Sequence, residues 1–183
     1  MAKINLSSFN NNWYNPGSTF KIILWYFVNL IFLKGAFPWP QFVKSKALQL
    51  FGCKLGNGVI LKPSINIKYP WLLKIGNNVW IGEGVWIDNL AMVTIGDNVC
   101  ISQGAMLLCG NHNYKKTTFD LMIGEIHLEE GVWIGAQSVV CPGVTCKSHS
   151  ILSVGSIATK DMEAYSIYQG NPAIKIKDRI ITQ

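Results

Sequence analysis

Imidazole ionises near neutrality, with an ordinary pKa of about 6.5, whereas an alcohol is almost un-ionised there. A positioned histidine is therefore the side chain that a reacting hydroxyl needs as its base. The chain has three histidines. His112 stands in the polar run Gly110-Asn111-His112-Asn113-Tyr114 and is the candidate base. A histidine base works best when an acceptor holds its other nitrogen, and Asp88 and Asn89 are the candidates for that task or for gripping a substrate. Tyr69, Trp71 and Trp86 suit either the apolar face of a sugar ring or a subunit seam, since aromatics are enriched at both. His127 lies between two inward-facing apolar residues and so points outward, and His149 occupies a surface slot; both read as structural. No metal is expected, because the histidines lie fifteen and twenty-two residues apart and the five cysteines form no C-x-x-C pair.

A repeat positions these residues. Apolar markers fall every six positions at Leu55, Leu61 and Ile67, then Ile75, Ile81 and Ile87, then Ile95, Ile101 and Leu107. They resume at Leu128, Ile134, Val140, Cys146, Leu152 and Ala158. Six is a multiple of the strand period of two and misses the helix period of 3.6, so all the markers face one side of short strands. The fold class is mainly β: a parallel β-helix, a triangular prism of about five coils in which stacking supplies the core.

The breaks in the repeat show where chemistry is placed. The step lengthens to eight residues after Ile67 and after Ile87, and to twenty-one after Leu107. Each break follows three hexapeptides, so all three insertions leave the prism at one corner, stacked at strand spacing. They carry Lys68-Tyr69-Pro70-Trp71, then Asp88-Asn89-Leu90, then a loop over residues 109–126 that holds His112. A loop of that length in a tight solenoid is usually functional.

The hexapeptide markers, Val132-Trp133-Ile134-Gly135-Ala136, Pro142-Gly143-Val144, Ser156-Ile157-Ala158-Thr159-Lys160-Asp161 and the closing Gly170-Asn171-Pro172-Ala173 together resemble the hexapeptide-repeat acyltransferases. Trp86-Ile87-Asp88-Asn89-Leu90 and Asn111-His112-Asn113-Tyr114 resemble the branch of colanic-acid and exopolysaccharide O-acetyltransferases, relatives of the maltose and galactoside acetyltransferases. The resemblance spans residues from about 50 to 177. It implies a left-handed helix, which periodicity does not give and the usual crossover rule would reverse. It also implies a homotrimer with sites between subunits, acetyl-CoA as donor, and a sugar or polysaccharide intermediate as acceptor. His112 matches the family's catalytic histidine. Trp133, Gly135, Ala136, Ser153, Lys160 and Pro172 fall where the coenzyme would bind, with Gly135 or Ala136 offering oxyanion N–H groups. Tyr69, Trp71, Trp86, Asn111 and Tyr114 fall where the acceptor would sit. The expected reaction is direct O-acetyl transfer in a ternary complex, since no nucleophilic Ser or Cys stands beside His112. Two rivals belong to other classes: a non-catalytic scaffold or sugar-binding β-helix, and a zinc enzyme of the carbonic-anhydrase type, which needs a close pair of histidines that this chain lacks.

The expected organisation is a helical capping segment over residues 1–52, the β-helix over 53–162 and a closing tail over 163–183. The first segment contains Ile22 to Leu33, an apolar run flanked by Lys21 and Lys34. Twelve residues are too few to cross a bilayer, which takes about twenty. Residues 20–37 therefore form either a helix packed on the solenoid or a peripheral membrane anchor, for which Trp25, Tyr26, Trp39 and the flanking lysines are suitable. A second helix from about Gln41 to Phe51 would close the open end of the coil, which otherwise exposes a sheet edge. The net charge of +6 comes without the patterned arginines and aromatics of a nucleic-acid surface, so no nucleic-acid partner is expected. Unpaired cysteines and no evident signal peptide point to reduced thiols in the cytoplasm, with the inner membrane face as the peripheral option.

Overall fold

The computed structural model describes residues 2–182. Its three parallel sheets follow one another around each coil. The first face stacks Lys54–Leu55, Leu73–Ile75, Val93–Ile95, Ile126–Leu128 and Thr145–Cys146. The second stacks Ile60–Leu61, Trp80–Ile81, Cys100–Ile101, Trp133–Ile134, Ile151–Leu152 and Ser166–Gly170. The third stacks Asn66–Ile67, Trp86–Asp88, Met106–Leu108, Val139–Val140 and Ile157–Ala158. Five coils are complete, and Met162, which bridges to Cys146, begins a sixth that Ser166–Gly170 continues. The chain then turns back as Ala173–Asp178, an antiparallel strand on the edge of the second face.

The six-residue repeat sets the register: Leu55 pairs with Ile75, Ile81 with Ile101, and Ile134 with Leu152. Fourteen of the fifteen markers are buried, and the exception is Leu55 in the first coil. The small residues four positions after the markers, from Val79 to Ser156, fill the corners and are buried as well. Cys53, Cys109 and Cys146 are core thiols, but Cys100 and Cys141 face outward and are half-buried; all five are free.

Two helices close the first coil: α1 over Thr19–Asn29, prolonged by a π-turn at Leu30–Lys34, and α2 over Gln41–Leu50. The apolar run is thus helical, and it packs on the solenoid with one face. Trp25, Asn29 and Leu33 are buried at intervals of four. The edge strands of the first coil would leave N–H and C=O groups without partners. Side chains from the helices supply them. Trp25 Nε1 donates to the Ile67 carbonyl at 2.8 Å, and Asn29 Oδ1 accepts from the Ile67 N–H. On the second face Gln41 imitates a strand, its amide donating to the Leu61 carbonyl and accepting from the Leu61 N–H, both at 2.9 Å. Lys44, buried, donates to the same carbonyl.

Candidate active site

All three insertions leave the prism between the third and first faces, as the spacing predicts. The lowest is a 3-10 turn at Pro70–Leu72, the next is Asn89 to Met92, and the highest is an antiparallel hairpin of Gly110–His112 and Leu121–Ile123. That hairpin corrects the reading of residues 109–126 as a loop. Its residues pair with each other instead of continuing the coil, and His112 stands opposite Leu121. At the tip, Asp120 accepts from Lys116 and Thr118, which hold its carboxyl below the usual carboxylate range.

His112 Nδ1 lies 2.9 Å from the carbonyl oxygen of Phe119. A carbonyl only accepts, so Nδ1 carries the proton and Nε2 presents its lone pair. The imidazole lies flat on the Phe119 ring, with centroids 4.4 Å apart and planes 7° from parallel, and Phe9 closes another side at 5.7 Å. The acceptor for Nδ1 is thus neither Asp88 nor Asn89. Asp88 is buried and paired with Lys68 at 2.8 Å. Asn89, fully buried, accepts from the Tyr69 N–H and donates to the carbonyls of Tyr69 and Leu72. Its amide therefore ties the lowest insertion to the middle one, and Leu90 beside it lies under Gly110 at the hairpin base.

The other candidate residues fall into separate groups. Tyr69, Trp86 and Asp88 line a cleft of about 280 Å³ on the third face, completed by Tyr26, Asn29 and Lys34 of the first helix and its π-turn. Asn111 and Tyr114 are exposed beside His112. Trp71 is instead covered: its Nε1 donates to the Pro16 carbonyl, Gly17 packs on the indole, Gly52 lies against its Cβ, and Lys21 Nζ lies 4.2 Å from the ring centroid.

Trp133, Gly135, Ala136 and Ser153 line a second groove, of about 580 Å³, on the second face. The Trp133 indole N–H donates to Ser102 Oγ at 2.9 Å. Gly135 has no room for a side chain, since a Cβ there would lie 2.6 Å from the Val154 nitrogen of the next coil. Its N–H donates to the Leu152 carbonyl and so is not an oxyanion donor; among the described residues the Ala136 N–H has no partner. Lys160 and Pro172 are exposed outside this groove, whereas Lys177, unforeseen from sequence, lines it. His127 pairs with Glu125 at 3.4 Å, and His149 lies over Gly131 and Tyr165.

Sequence reasoning missed the N-terminal arm. Residues before the first helix run up the corner and touch every insertion: Pro16 meets Trp71, the Tyr14 hydroxyl donates to the Leu90 carbonyl at 2.7 Å, Phe9 meets His112, and the Asn5 N–H donates to the Thr117 carbonyl at 2.9 Å. Burial, reinforced by Tyr69, Asp88 and Cys109, holds the Tyr14 phenol well above its ordinary range. Burial likewise raises Tyr69. No residue spacing marks the arm, because its contacts are made through backbone carbonyls and isolated aromatics.

A parallel coil of hexapeptides with a hairpin raised from one corner defines the class as the hexapeptide-repeat β-helix. No protein-family model matches the sequence. The chain is 32% identical over 174 residues to the protein named colanic acid biosynthesis acetyltransferase WcaF in Escherichia coli K12, covering 93% of each. A hexapeptide-repeat-containing acetyltransferase from Vibrio cholerae, solved with acetyl coenzyme A, matches 91% of this chain and 93% of its own at a TM-score of 0.81 and 19% identity. A galactoside acetyltransferase solved with coenzyme A matches 86% of this chain and 80% of its own at a TM-score of 0.78 and 24% identity. The structural matches show the fold, and the relative shows the family. The chain belongs to the hexapeptide-repeat acetyltransferases and is an acyltransferase.

Proposed function

We propose that the protein moves an acetyl group from acetyl-CoA to a hydroxyl of a sugar or exopolysaccharide intermediate, with His112 as general base. The observation that carries this reading is the Phe119 carbonyl at His112 Nδ1, which leaves Nε2 as a proton acceptor at the rim of the corner. The acceptor hydroxyl gives its proton to Nε2 as its oxygen bonds to the thioester carbon. The tetrahedral oxyanion collapses, the C–S bond breaks, and the proton passes to the departing thiolate. The Ala136 N–H is the candidate oxyanion donor, and the Trp133 groove the candidate seat of the pantetheine arm. Direct transfer is favoured over an acyl-enzyme because the cysteine nearest His112 in sequence, Cys109, is a buried thiol pushed up to about 11. The cleft that holds Tyr69, Trp86 and Asp88 is the candidate acceptor site. The test is a screen of sugar acceptors with acetyl-CoA, read as free thiol. Acceptor-dependent thiol release supports the reading, and sugar binding without coenzyme A binding would replace it with a non-catalytic sugar binder.

A homotrimer goes with this proposal. In a triangular prism the corner that bears His112 is opposite the second face, which bears the Trp133 groove, so one chain keeps its two half-sites apart. A head-to-tail ring closes when the rotation fits, and three copies would bring each corner to a neighbour's groove. Light scattering at micromolar protein should return the mass of three chains; a monomer mass would reject this arrangement.

A further inference from the structure

The helical cap has a second face with no partner in the chain. Phe20, Ile23, Leu24, Phe27 and Ile31 fall at i, i+3, i+4, i+7 and i+11, a helical stripe opposite the buried Trp25, Asn29 and Leu33, and all five are exposed. Phe20 is 77% exposed. The surface continues across the cap through Phe37, Phe42 and Leu50, the last 82% exposed. Between α1 and α2 runs an apolar groove of about 370 Å³, lined by Val28, Phe32, Phe42, Val43 and Leu50 among others. Solvated helices do not normally present such a surface, and a contiguous apolar patch of this kind marks an interaction site.

Charge identifies the occupant. Residues 1–82 contain nine lysines and no aspartate or glutamate, and Glu83 is the first acidic residue of the chain. The remaining residues hold seven basic and ten acidic side chains, so the net +6 divides into +9 and −3. Lys3, Lys34, Lys46, Lys54, Lys62 and Lys74 are exposed, and Lys21 and Lys68 are half-buried. A second copy meeting this face with its own would set lysine against lysine. Most acidic side chains elsewhere are already engaged, among them Asp88 with Lys68, Asp97 with Asn77, Asp120 with Lys116, and Glu163 and Asp178 with Lys175. An apolar stripe flanked by Lys21, Lys34 and Lys46, in a stretch of chain without an acidic side chain, matches the interface of an anionic bilayer.

We propose that the N-terminal cap docks the protein onto anionic membrane, with α1 lying in the plane of the interface. Among the described residues no helix is long and apolar enough to cross a membrane. The cap also cannot leave the solenoid without exposing the first coil, because Trp25 and Asn29 hold the Ile67 edge. Only the outer stripe is free to enter lipid. Because the N-terminal arm runs from α1 to the hairpin, docking would fix the corner of His112 near the bilayer surface.

The test is sedimentation with vesicles of phosphatidylglycerol and phosphatidylcholine, set against vesicles of phosphatidylcholine alone. The protein should bind the anionic vesicles, and binding should weaken as salt is raised. Phe27→Ser/Ile31→Ser should weaken it by about a hundredfold, since each of the two apolar side chains contributes roughly tenfold when buried. Lys46→Glu, a change at an exposed side chain on the rim of the groove, should weaken it by about tenfold through charge. Thiol release on a soluble acceptor should be unchanged in both variants. Failure of the wild type to sediment with anionic vesicles overturns the proposal. So does loss of assembly in the Phe27→Ser/Ile31→Ser chain without any vesicle binding by the wild type, which would make the face a contact between copies. The proposal does not depend on the acetyl-transfer reading, and the two assays fail separately.

Discussion

Replacing His112 by Ala should lower turnover by about 10²–10⁴-fold, the usual contribution of a positioned general base. The protein should remain folded, because the hairpin of Gly110–His112 and Leu121–Ile123 stands outside the buried stack of markers. Acetyl-CoA affinity should change little, since the Trp133 groove proposed to seat the pantetheine arm is lined by other residues and His112 is not among them. The loss should therefore appear in kcat while donor binding, measured by calorimetry, stays near that of the wild type. His112→Asn should not restore the rate, as an amide keeps a polar contact but cannot take a proton at neutral pH. A folded His112→Ala enzyme with near-normal turnover on its acceptor would move the base elsewhere, with Asp88 of the cleft the next candidate.

The second large effect is on stability. Trp25→Ala should cost about 3–5 kcal/mol, the range for emptying a buried Trp or Phe site. Trp25 is 2% exposed, packs on Phe51 at 5.1 Å, and gives its indole N–H to the Ile67 carbonyl. Truncation thus opens a cavity under the first coil and strips an edge carbonyl of its donor. Phe20→Ala, on the exposed stripe of the same helix, should stay within about 0.5 kcal/mol of the wild type. Urea unfolding of the two variants compares them directly. Equal midpoints for Trp25→Ala and wild type would mean that the cap does not close the solenoid.

The core was legible because a β-solenoid is nearly one-dimensional. Each coil repeats the same three strands, so a six-residue period names the inward side chains, and a break after three hexapeptides names the corner. Leu61, Ile81, Ile101 and Ile134 could be placed on one face by counting alone. His112 could be found for the same reason: the longest break had to leave at the corner already marked by Tyr69 and Asp88. The groove of Trp133, Gly135, Ala136 and Ser153 followed from their resemblance to a family motif, since residues a full coil apart meet only across the stack.

Counting residues could not supply the irregular contacts. The partner of His112 Nδ1 is a backbone carbonyl, which every residue has and no sequence advertises; it is brought into range by the pairing of the two hairpin strands. Asn89 looked available for chemistry, yet its amide faces the turn below, where the Tyr69 N–H and two carbonyls needed partners. Trp71 looked open to a sugar, yet the N-terminal arm lies over it. Periodic burial leaves a periodic signal, so the coil, its register and the corner of the insertions could be read by counting. Which polar groups of that corner are free emerges only on folding, because it depends on backbone groups brought together from strands and arms far apart in the chain.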